Sequence, residues 1–259
     1  MKLDRRTFVQ FAAGSLFAGA LSARSLVPAQ ASPGTRALVF DAFPIFDPRP
    51  IAALANSMFP ERGAALMDAW RARQFQYQWL RALAGQYVDF LQATSDSLAF
   101  ASDQVQLVIP EKQRAALMQA WMSLQVWPDV PDALTRLHEA GLRLAFLSNM
   151  TREMLDSGLR AAGLQDKFEA VISTHQIRSY KPAADAYALA TRTLDLRKEE
   201  ILFVAFAGWD VAGAKWFGYP TYWLNRLGSR REALDAEPDA IGADMAALTG
   251  YALDGRAEP

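Results

Sequence analysis

The chain has 259 residues, of which 51% are hydrophobic and 21% charged, and its formal net charge is -1 at pH 7. This is the balance of a globular protein long enough to bury a substantial core, in one domain or in two unequal ones. It offers no basic stripe for nucleic acid, so we expect a small molecule as partner and no nucleic acid. Because there is no cysteine and only two histidines, thiol nucleophiles and disulfides are excluded, and little material remains for a His-rich metal site or a Ser-His-Asp triad.

The N-terminal segment is typical of an export signal. MKLDRRTFVQ contains paired arginines, and the apolar stretch FAAGSLFAGALSA that follows is too short and too rich in small residues to span a bilayer well. AQA at positions 29–31 has the pattern of a cleavage site, so we predict a signal peptide over residues 1–31. The arginine pair resembles the twin-arginine signal and predicts a periplasmic protein without stable membrane association after cleavage. An uncleaved amphipathic helix is the alternative.

From Thr35 onward, buried-strand and helix patterns alternate. In TREMLDSGLRAAG, for example, Thr151 can cap the start of a helix and Gly163 can end it. Strand, helix and strand at this spacing predict an α/β fold with a doubly wound parallel sheet. Apolar runs of strand length are ALVF before Asp41, LRLAFLSN (142–149), AVIST (170–174), ILFVAFAG (201–208) and PTYWLN (220–225).

One long interval breaks this alternation. Between Pro48 and Val126 the sequence shows helical signal and no strand, which is too much for a loop. We predict an inserted α-helical cap over the functional edge of the sheet, with residues 35–47 and 126–250 as the core and 48–125 as the cap subdomain. The apolar residues predicted to share one face of the cap are Leu80, Leu83, Tyr87, Phe90 and Leu91.

Polar residues follow the predicted strands at the edge where open α/β sheets bind ligands. Asp41 follows the first strand, Ser148 and Asn149 the second, and Asp210 the fourth, while Lys181 follows the connection after the third. An ammonium beside Asp41 would keep its carboxylate ionised and make it a candidate nucleophile. Backbone N–H groups around Ser148 and Asn149, near a helix start, suit an anionic group. Asp210 could counter Lys181, help to bind a metal or position a water; a turn-capping role is the alternative for Asp41.

Specific stretches around these residues resemble the haloacid dehalogenase superfamily and, within it, the L-2-haloacid dehalogenases (type II). They are WRARQFQYQWLRAL and QYVDFLQAT in the predicted cap, with LSNMT, SYKPAADAY and WDVAGAKWFGYPTYWLNR in the core. The resemblance covers roughly residues 38–226 and implies a Rossmann-like core. It implies hydrolytic dehalogenation of short (S)-2-haloalkanoic acids, small anionic substrates, to (R)-2-hydroxy acids. It also implies an ester intermediate on Asp41, no metal or other cofactor, and the homodimer often found in the family.

Carried over residue by residue, the resemblance implies catalytic roles for three residues. Asp41 would be the nucleophile, Lys181 its counter-charge, and Asp210 would position the network and the water. Without the motifs, Lys181 would be read as a surface residue near a helix start and Arg71 as part of a solvated helix face. The implied substrate-binding residues are Arg71 for the halide, Ser148 and Asn149 for the carboxylate, Phe43, Phe90 and Trp209 for an apolar pocket, and Tyr187, which matches a further active-site tyrosine.

Two departures from the family's pattern leave alternatives open. The Gly-Thr pair after the nucleophile is replaced by a shorter FPIFD with Pro44 and Ile45, and Ala205 and Ala207 stand where the family carries Ser and Asn. Losing one such contact can cost on the order of 10²-fold in rate, so a degenerate, non-catalytic periplasmic binding protein is one alternative. The other is a phosphatase of the same superfamily. It is disfavoured because Phe43 stands where phosphatases carry a second Asp and VAGAKWF supplies no extra acidic ligand for Mg²⁺.

Overall fold

The computed structural model describes residues 34–254, so the predicted signal peptide lies outside the described residues. In chain order the elements are β1 (Ala37–Phe40), β2 (Phe46–Asp47), α1 (Arg49–Met58), α2 (Gly63–Leu83), α3 (Phe90–Gln104), α4 (Glu111–Met122), β3 (Gln125–Val126), α5 (Val130–Glu139), β4 (Arg143–Ser148), α6 (Arg152–Ala162), β5 (Ala170–Ser173), α7 (Ala184–Leu194), β6 (Ile201–Ala205), α8 (Gly208–Phe217), β7 (Thr221–Leu224), β8 (Ala240–Gly242) and α9 (Met245–Leu253). Short 3₁₀ turns precede β5, α7 and β6. None of the helices within residues 34–254 has the length and apolarity needed to cross a membrane.

Six strands form one parallel sheet in the order β5-β4-β1-β6-β7-β8. β1 lies inside the sheet, where Ala37 is opposite both Arg143 of β4 and Ile201 of β6. Its side chains alternate between the two faces, because Leu38 packs into one hydrophobic cluster and Val39 into the other. Burial on both faces is what a parallel sheet covered by helices requires. The predicted doubly wound α/β fold is confirmed, and Asp41 follows directly after β1.

The predicted strands and helix boundaries agree with the structure, apart from small differences at element ends. The strand predicted over 201–208 ends at Ala205, because α8 already begins at Gly208. Thr151 caps α6 by accepting the Met154 N–H at 3.3 Å. Gly163 ends the same helix with a φ of 66°, a left-handed conformation that glycine adopts without strain.

Four helices, α1 to α4, form the predicted insertion. Helices α2 and α3 pack together through buried bonds from Trp70 Nε1 to Thr94 O, at 2.8 Å, and from Gln74 Nε2 to Thr94 Oγ1, at 2.5 Å. The two chain crossings between core and insertion pair as an antiparallel ribbon of β2 and β3. Trp127, just after this ribbon, donates from Nε1 to the carbonyls of Phe43 and Phe46. The ribbon therefore fixes the loop that follows Asp41, while the division at 48–125 stays a prediction.

The apolar face predicted for the insertion is wrong at its N-terminal end. Tyr87 and Phe90 are buried, but Leu80 is 60% exposed and Leu83 is 87% exposed. The reason is that α2 ends at Leu83 and the chain turns at Gly85, with a φ of 67°. The prediction treated residues on both sides of this turn as one continuous helix, and it therefore assigned residues of two different helices to the same face.

Gly158 of α6 packs closely against Phe46 of β2, so a larger residue at this position tests how tightly the core packs around β2. A Cβ at Gly158 would lie 2.5 Å from Phe46 Cε1, and Phe46 is buried and stacked on Phe146 with ring centroids 5.7 Å apart. We expect Gly158→Ala to lower the free energy of unfolding by about 1–3 kcal/mol, measured by urea denaturation.

The matched control is Gly250→Ala in α9. No atom lies within 4 Å of the Cβ position at Gly250, and alanine favours a helix interior over glycine by roughly 0.5–1 kcal/mol. A similar change in stability for both variants would contradict the close packing of Gly158 on Phe46.

Candidate active site

The Lys181 ammonium joins two carboxylates at the carboxyl end of the sheet. Its Nζ donates to Asp41 Oδ1 at 2.8 Å and to Asp210 Oδ2 at 2.6 Å. Lys181 and Asp210 are buried, whereas 12% of the Asp41 side chain is exposed. Asp41 follows β1, and Asp210 lies in the first turn of α8 after β6. The parallel pairing of these two strands therefore brings both carboxylates to the same edge.

The backbone of Lys181 is held from the core and from the insertion. Its N–H donates to Asn149 Oδ1 at 2.8 Å, and its carbonyl accepts the Trp79 Nε1–H at 3.1 Å. The preceding residue, Tyr180, donates its hydroxyl to the carbonyl of Val88 at 2.7 Å. Since Trp79 and Val88 belong to the α2–α3 region, the position of the lysine depends on the insertion as well as on the sheet.

Tyr187 lies behind Asp210 and is not among the residues that line the cavity beside Asp41, so its predicted part in substrate binding stays a prediction. Its hydroxyl donates to Asp210 Oδ1 at 2.7 Å, and its fully buried ring packs edge-on against Phe203. Asp210 thus uses one oxygen for Tyr187 and the other for Lys181. Buried in this way, Asp210 acts on Asp41 through Lys181, and its predicted part in positioning a water stays a prediction.

Burial and charge together set the protonation of this group. Burial alone would lower the pKa of Lys181, but the Asp210 and Asp41 carboxylates raise it above its ordinary value, so the ammonium is retained. Burial raises the pKa of Asp210 to about 6, opposed by Lys181 and assisted by the Asp41 charge. Burial and the Asp210 charge raise the pKa of Tyr187 well above its ordinary value, which keeps its hydroxyl a donor.

Asp41 lines a cavity of about 470 Å³ between the core and the insertion. Its Oδ2 accepts the Phe43 N–H at 3.3 Å, a longer bond than the one that Oδ1 makes with Lys181. Most of the site residues predicted from the sequence line this cavity, and Lys181, Asp210 and Tyr187 lie behind its lining. The predicted residues that line the cavity are Asp41, Phe43, Arg71, Phe90, Ser148, Asn149 and Trp209.

Positive and donor groups face this cavity from both sides. Arg71, on α2 of the insertion, is exposed and makes no ion pair with any residue in the range 34–254. On the core side, Ser148 is the last residue of β4, and Asn149 follows it before α6 begins at Arg152. The start of a helix and an unpaired guanidinium both attract anions. The cavity can therefore hold one anionic group at the sheet edge and a second near α2.

Sequence reasoning missed several residues that line this cavity or hold its lining residues in place. Gln78 is fully buried and accepts the Asn149 Nδ2–H on Oε1 at 3.2 Å, while its own Nε2 has no partner among the described residues. Arg71, Gln74 and Gln78 recur at helical spacing, which is a signal that could have found the two glutamines. Trp121 of α4 also lines the cavity, and nothing in its local sequence distinguishes it from an ordinary core residue. The indole N–H groups of Trp121 and Trp209 have no partner in the described part of the chain.

The two departures from the family's pattern lie at or beside the cavity. Ala207 is part of its wall, whereas Ala205 is buried inside the sheet. In the loop after Asp41, Pro44 and Ile45 are buried, and the Pro44 carbonyl accepts two bonds from the Arg226 guanidinium at 3.1 and 3.2 Å. Main-chain contacts therefore fix this loop without the hydroxyl that the family carries.

Comparison with known proteins agrees with the geometry. The family model for haloacid dehalogenase-like hydrolases matches residues 27–218, and the parallel sheet with a lysine-paired carboxylate after an inner strand fits that class of hydrolase. Within this class, the chain belongs to the L-2-haloacid dehalogenase family, as the sequence predicted.

Three relatives show how far the similarity extends. The (S)-2-haloacid dehalogenase of Pseudomonas sp. (strain YL) is 37% identical over 79% of this chain and 88% of its own length. The crystal structure of the L-2-haloacid dehalogenase RSc1362 is 40% identical over 84% of this chain and 98% of that chain, with a TM-score of 0.82. The L-2-haloacid dehalogenase of Xanthobacter autotrophicus with chloropropionic acid covalently bound is 33% identical, with coverages of 86% and 100% and a TM-score of 0.78.

Removing the charge of Lys181 should destabilise the fold. In Lys181→Met, two buried carboxylates lose their counter-charge, and breaking a buried ion pair costs about 3–5 kcal/mol. We expect a decrease of this size in the free energy of unfolding at pH 7, measured with urea. Adding Asp210→Asn should recover part of it, because one uncompensated charge is then removed.

The loss of stability in Lys181→Met should also depend on pH. The folded-state pKa of Asp210 is raised, so the folded protein binds this proton more tightly than the unfolded chain, and ionising Asp210 costs stability as the pH rises. Without Lys181 this cost is no longer offset, and the deficit of Lys181→Met should shrink as the pH is lowered. A deficit independent of pH would contradict the ion-pair interpretation.

Proposed function

We propose that the protein hydrolyses (S)-2-haloalkanoic acids to (R)-2-hydroxy acids through an ester intermediate on Asp41. The observation that carries the proposal is the Asp41 carboxylate, which lines the cavity with one oxygen bonded to the buried Lys181 ammonium. Similarity to (S)-2-haloacid dehalogenases over most of the chain supports the same reaction. The covalently bound chloropropionic acid in the Xanthobacter autotrophicus structure supports a covalent intermediate.

In the first step, an oxygen of Asp41 displaces the halide from C2 of the substrate. Lys181 engages Oδ1 at 2.8 Å, which leaves Oδ2, with its weaker 3.3 Å bond to Phe43, as the attacking atom. The Oδ2–C2 bond forms while the carbon–halogen bond breaks, and the bonding electron pair leaves with the halide. Attack from the side opposite the halogen inverts C2. The Lys181 ammonium holds Asp41 Oδ1 and so orients the carboxylate for this step.

The residues around the cavity supply partners for the substrate carboxylate and for the departing halide. The backbone N–H groups that follow Ser148, at the start of α6, suit the substrate carboxylate. The Arg71 guanidinium, which has no ion-pair partner within residues 34–254, suits the departing halide, whose negative charge grows in the transition state. Phe90 and Trp209 line the cavity with apolar surface, which limits the access of water while the halide is displaced.

In the second step, water hydrolyses the ester. Its oxygen adds to Cγ of Asp41, and the bond between Cγ and the ester oxygen breaks. The product leaves with the original Asp41 oxygen as its 2-hydroxyl, and one proton is released. Since this step does not touch C2, the single inversion converts an (S) substrate into an (R) product.

A phosphatase fits the wall less well. The residue two positions after Asp41 is Phe43, whose side chain cannot donate a proton to a leaving alcohol, and whose ring packs on Trp121 and Phe206. A binding protein that uses the same cavity without chemistry is distinguished from the proposed enzyme by the following experiment.

A single-turnover reaction with excess enzyme and (S)-2-chloropropionate in H₂¹⁸O tests the ester. We expect one equivalent of chloride, and the ¹⁸O label in the Asp41 carboxylate by peptide mass spectrometry, because water attacks Cγ and not C2. Asp41→Asn should release no chloride, and para-nitrophenyl phosphate with Mg²⁺ should give no phosphate. Label found directly in the lactate from this single turnover would contradict the intermediate, and binding without chloride release would favour a non-catalytic protein.

We also propose that residues 1–31 direct export by the twin-arginine route and that the mature protein is a periplasmic homodimer. The arginine pair, the short apolar stretch and AQA at 29–31 support export, and family resemblance supports the dimer, which light scattering of the mature protein tests.

Replacing Arg5 and Arg6 together by lysine tests the export route. We expect the precursor to accumulate in the cytoplasm, because the paired arginines carry the signal, while the unaltered protein is recovered from the periplasm with an N-terminus near Ser32. Localisation unchanged by the double substitution, with a Sec-exported marker as control, would contradict the proposal.

A further inference from the structure

The cavity is larger than a short haloacid requires. Its volume of about 470 Å³ lies in the range of pockets for drug-sized ligands, roughly 300–1,000 Å³, whereas 2-chloropropionate has only a few non-hydrogen atoms. Asp41, Ser148, Asn149 and Arg71 account for the carboxylate, the halogen and the reacting carbon. The remaining space is therefore available to the substituent that C2 carries.

An aromatic cluster forms one wall of this space. Trp121 is its centre, with ring centroids 5.5 Å from Phe90, 6.1 Å from Trp70 and 6.3 Å from Phe43. Phe43 in turn lies 5.7 Å from Phe206. We call these five residues the aromatic wall; all of them line the cavity. Rings in such a wall favour a further ring in edge-to-face or offset contact.

The aromatic wall begins beside the reacting atom. The Phe43 N–H donates to Asp41 Oδ2, the oxygen that attacks C2. A substituent on C2 is thus only a few bonds from the atom that Phe43 contacts. The space for a substituent on C2 therefore adjoins the aromatic wall at Phe43.

The departure at Ala207 makes this part of the cavity wider and less polar. Ala207 follows Phe206 of the aromatic wall and lies in the lining, at a position where the family carries Asn. Replacing an amide by a methyl group removes a donor and an acceptor and leaves volume beside the wall. Both changes favour an apolar substituent over water or a polar group.

Resting on the proposed function, we propose that the preferred substrates are 2-halocarboxylates with an aromatic ring one methylene from C2, represented by 2-chloro-3-phenylpropionate. The ring lies against the aromatic wall, and the carboxylate and halogen keep the places described above. The chemistry at C2 is unchanged from that of 2-chloropropionate, so the preference comes from contacts of the substituent alone.

Halide release from (S)-2-chloropropionate and (S)-2-chloro-3-phenylpropionate tests the preference. We expect kcat/KM for the phenyl compound to be at least tenfold higher than for 2-chloropropionate. The cyclohexyl analogue of the phenyl compound should have a lower kcat/KM than the phenyl compound itself. Ala207→Leu and Ala207→Asn both refill the cavity, so each should reduce the phenyl-to-methyl ratio at least fivefold. Ala161→Leu, at an exposed position of α6, is the matched control and should leave this ratio unchanged.

The outcomes separate this inference from the proposed function. Turnover of 2-chloropropionate with an equal or lower kcat/KM for the phenyl compound would overturn the inference and leave the dehalogenase intact. Release of halide from neither compound would overturn both. Equal values for phenyl and cyclohexyl substituents, or a ratio insensitive to Ala207→Leu, would overturn the role of the aromatic wall.

Discussion

The buried contact of Lys181 with Asp41 and Asp210 is the constraint on which the rest of the site depends. An ammonium without partners in this position would lose its proton or unfold the protein, since desolvation disfavours the charged form. Two carboxylates from neighbouring strand ends supply the compensation, and Tyr187 holds the deeper of them. Buried ion pairs are seldom more stabilising than apolar packing of the same volume. A reactive carboxylate at the cavity is a reason to keep this one.

The sequence was sufficient to predict the residues whose position follows from topology. Asp41, Ser148 and Asp210 lie at or just after the carboxyl ends of strands in one parallel sheet, so their meeting at a single edge needs only the strand order. The place of Tyr187 could not be predicted in the same way, because it depends on which face of α7 turns towards the core. Gln78 was missed because its partner, Asn149, is 71 residues away across the insertion. Gly85 marks a turn in the sequence, yet the prediction relied on helical periodicity alone and extended one apolar face across that turn.

The loop after Asp41 shows how one set of contacts can replace another. Where the family uses a hydroxyl, this chain holds the loop by its carbonyls: Trp127 binds those of Phe43 and Phe46, and Arg226 binds that of Pro44. Arg226 also pairs with Asp129, and burial there is offset by this ion pair, which lowers the pKa of Asp129. The loop is therefore fixed from outside the cavity, which leaves its inner surface to Phe43.

The bonds between the insertion and the core are concentrated around Lys181. Trp79 holds the carbonyl of this residue, Tyr180 holds Val88, and Gln78 holds Asn149, which in turn binds the lysine N–H. Any displacement of the insertion from the core would break the same bonds that fix the lysine. The bonds that hold the insertion on the core therefore also position the ammonium that pairs with the nucleophile.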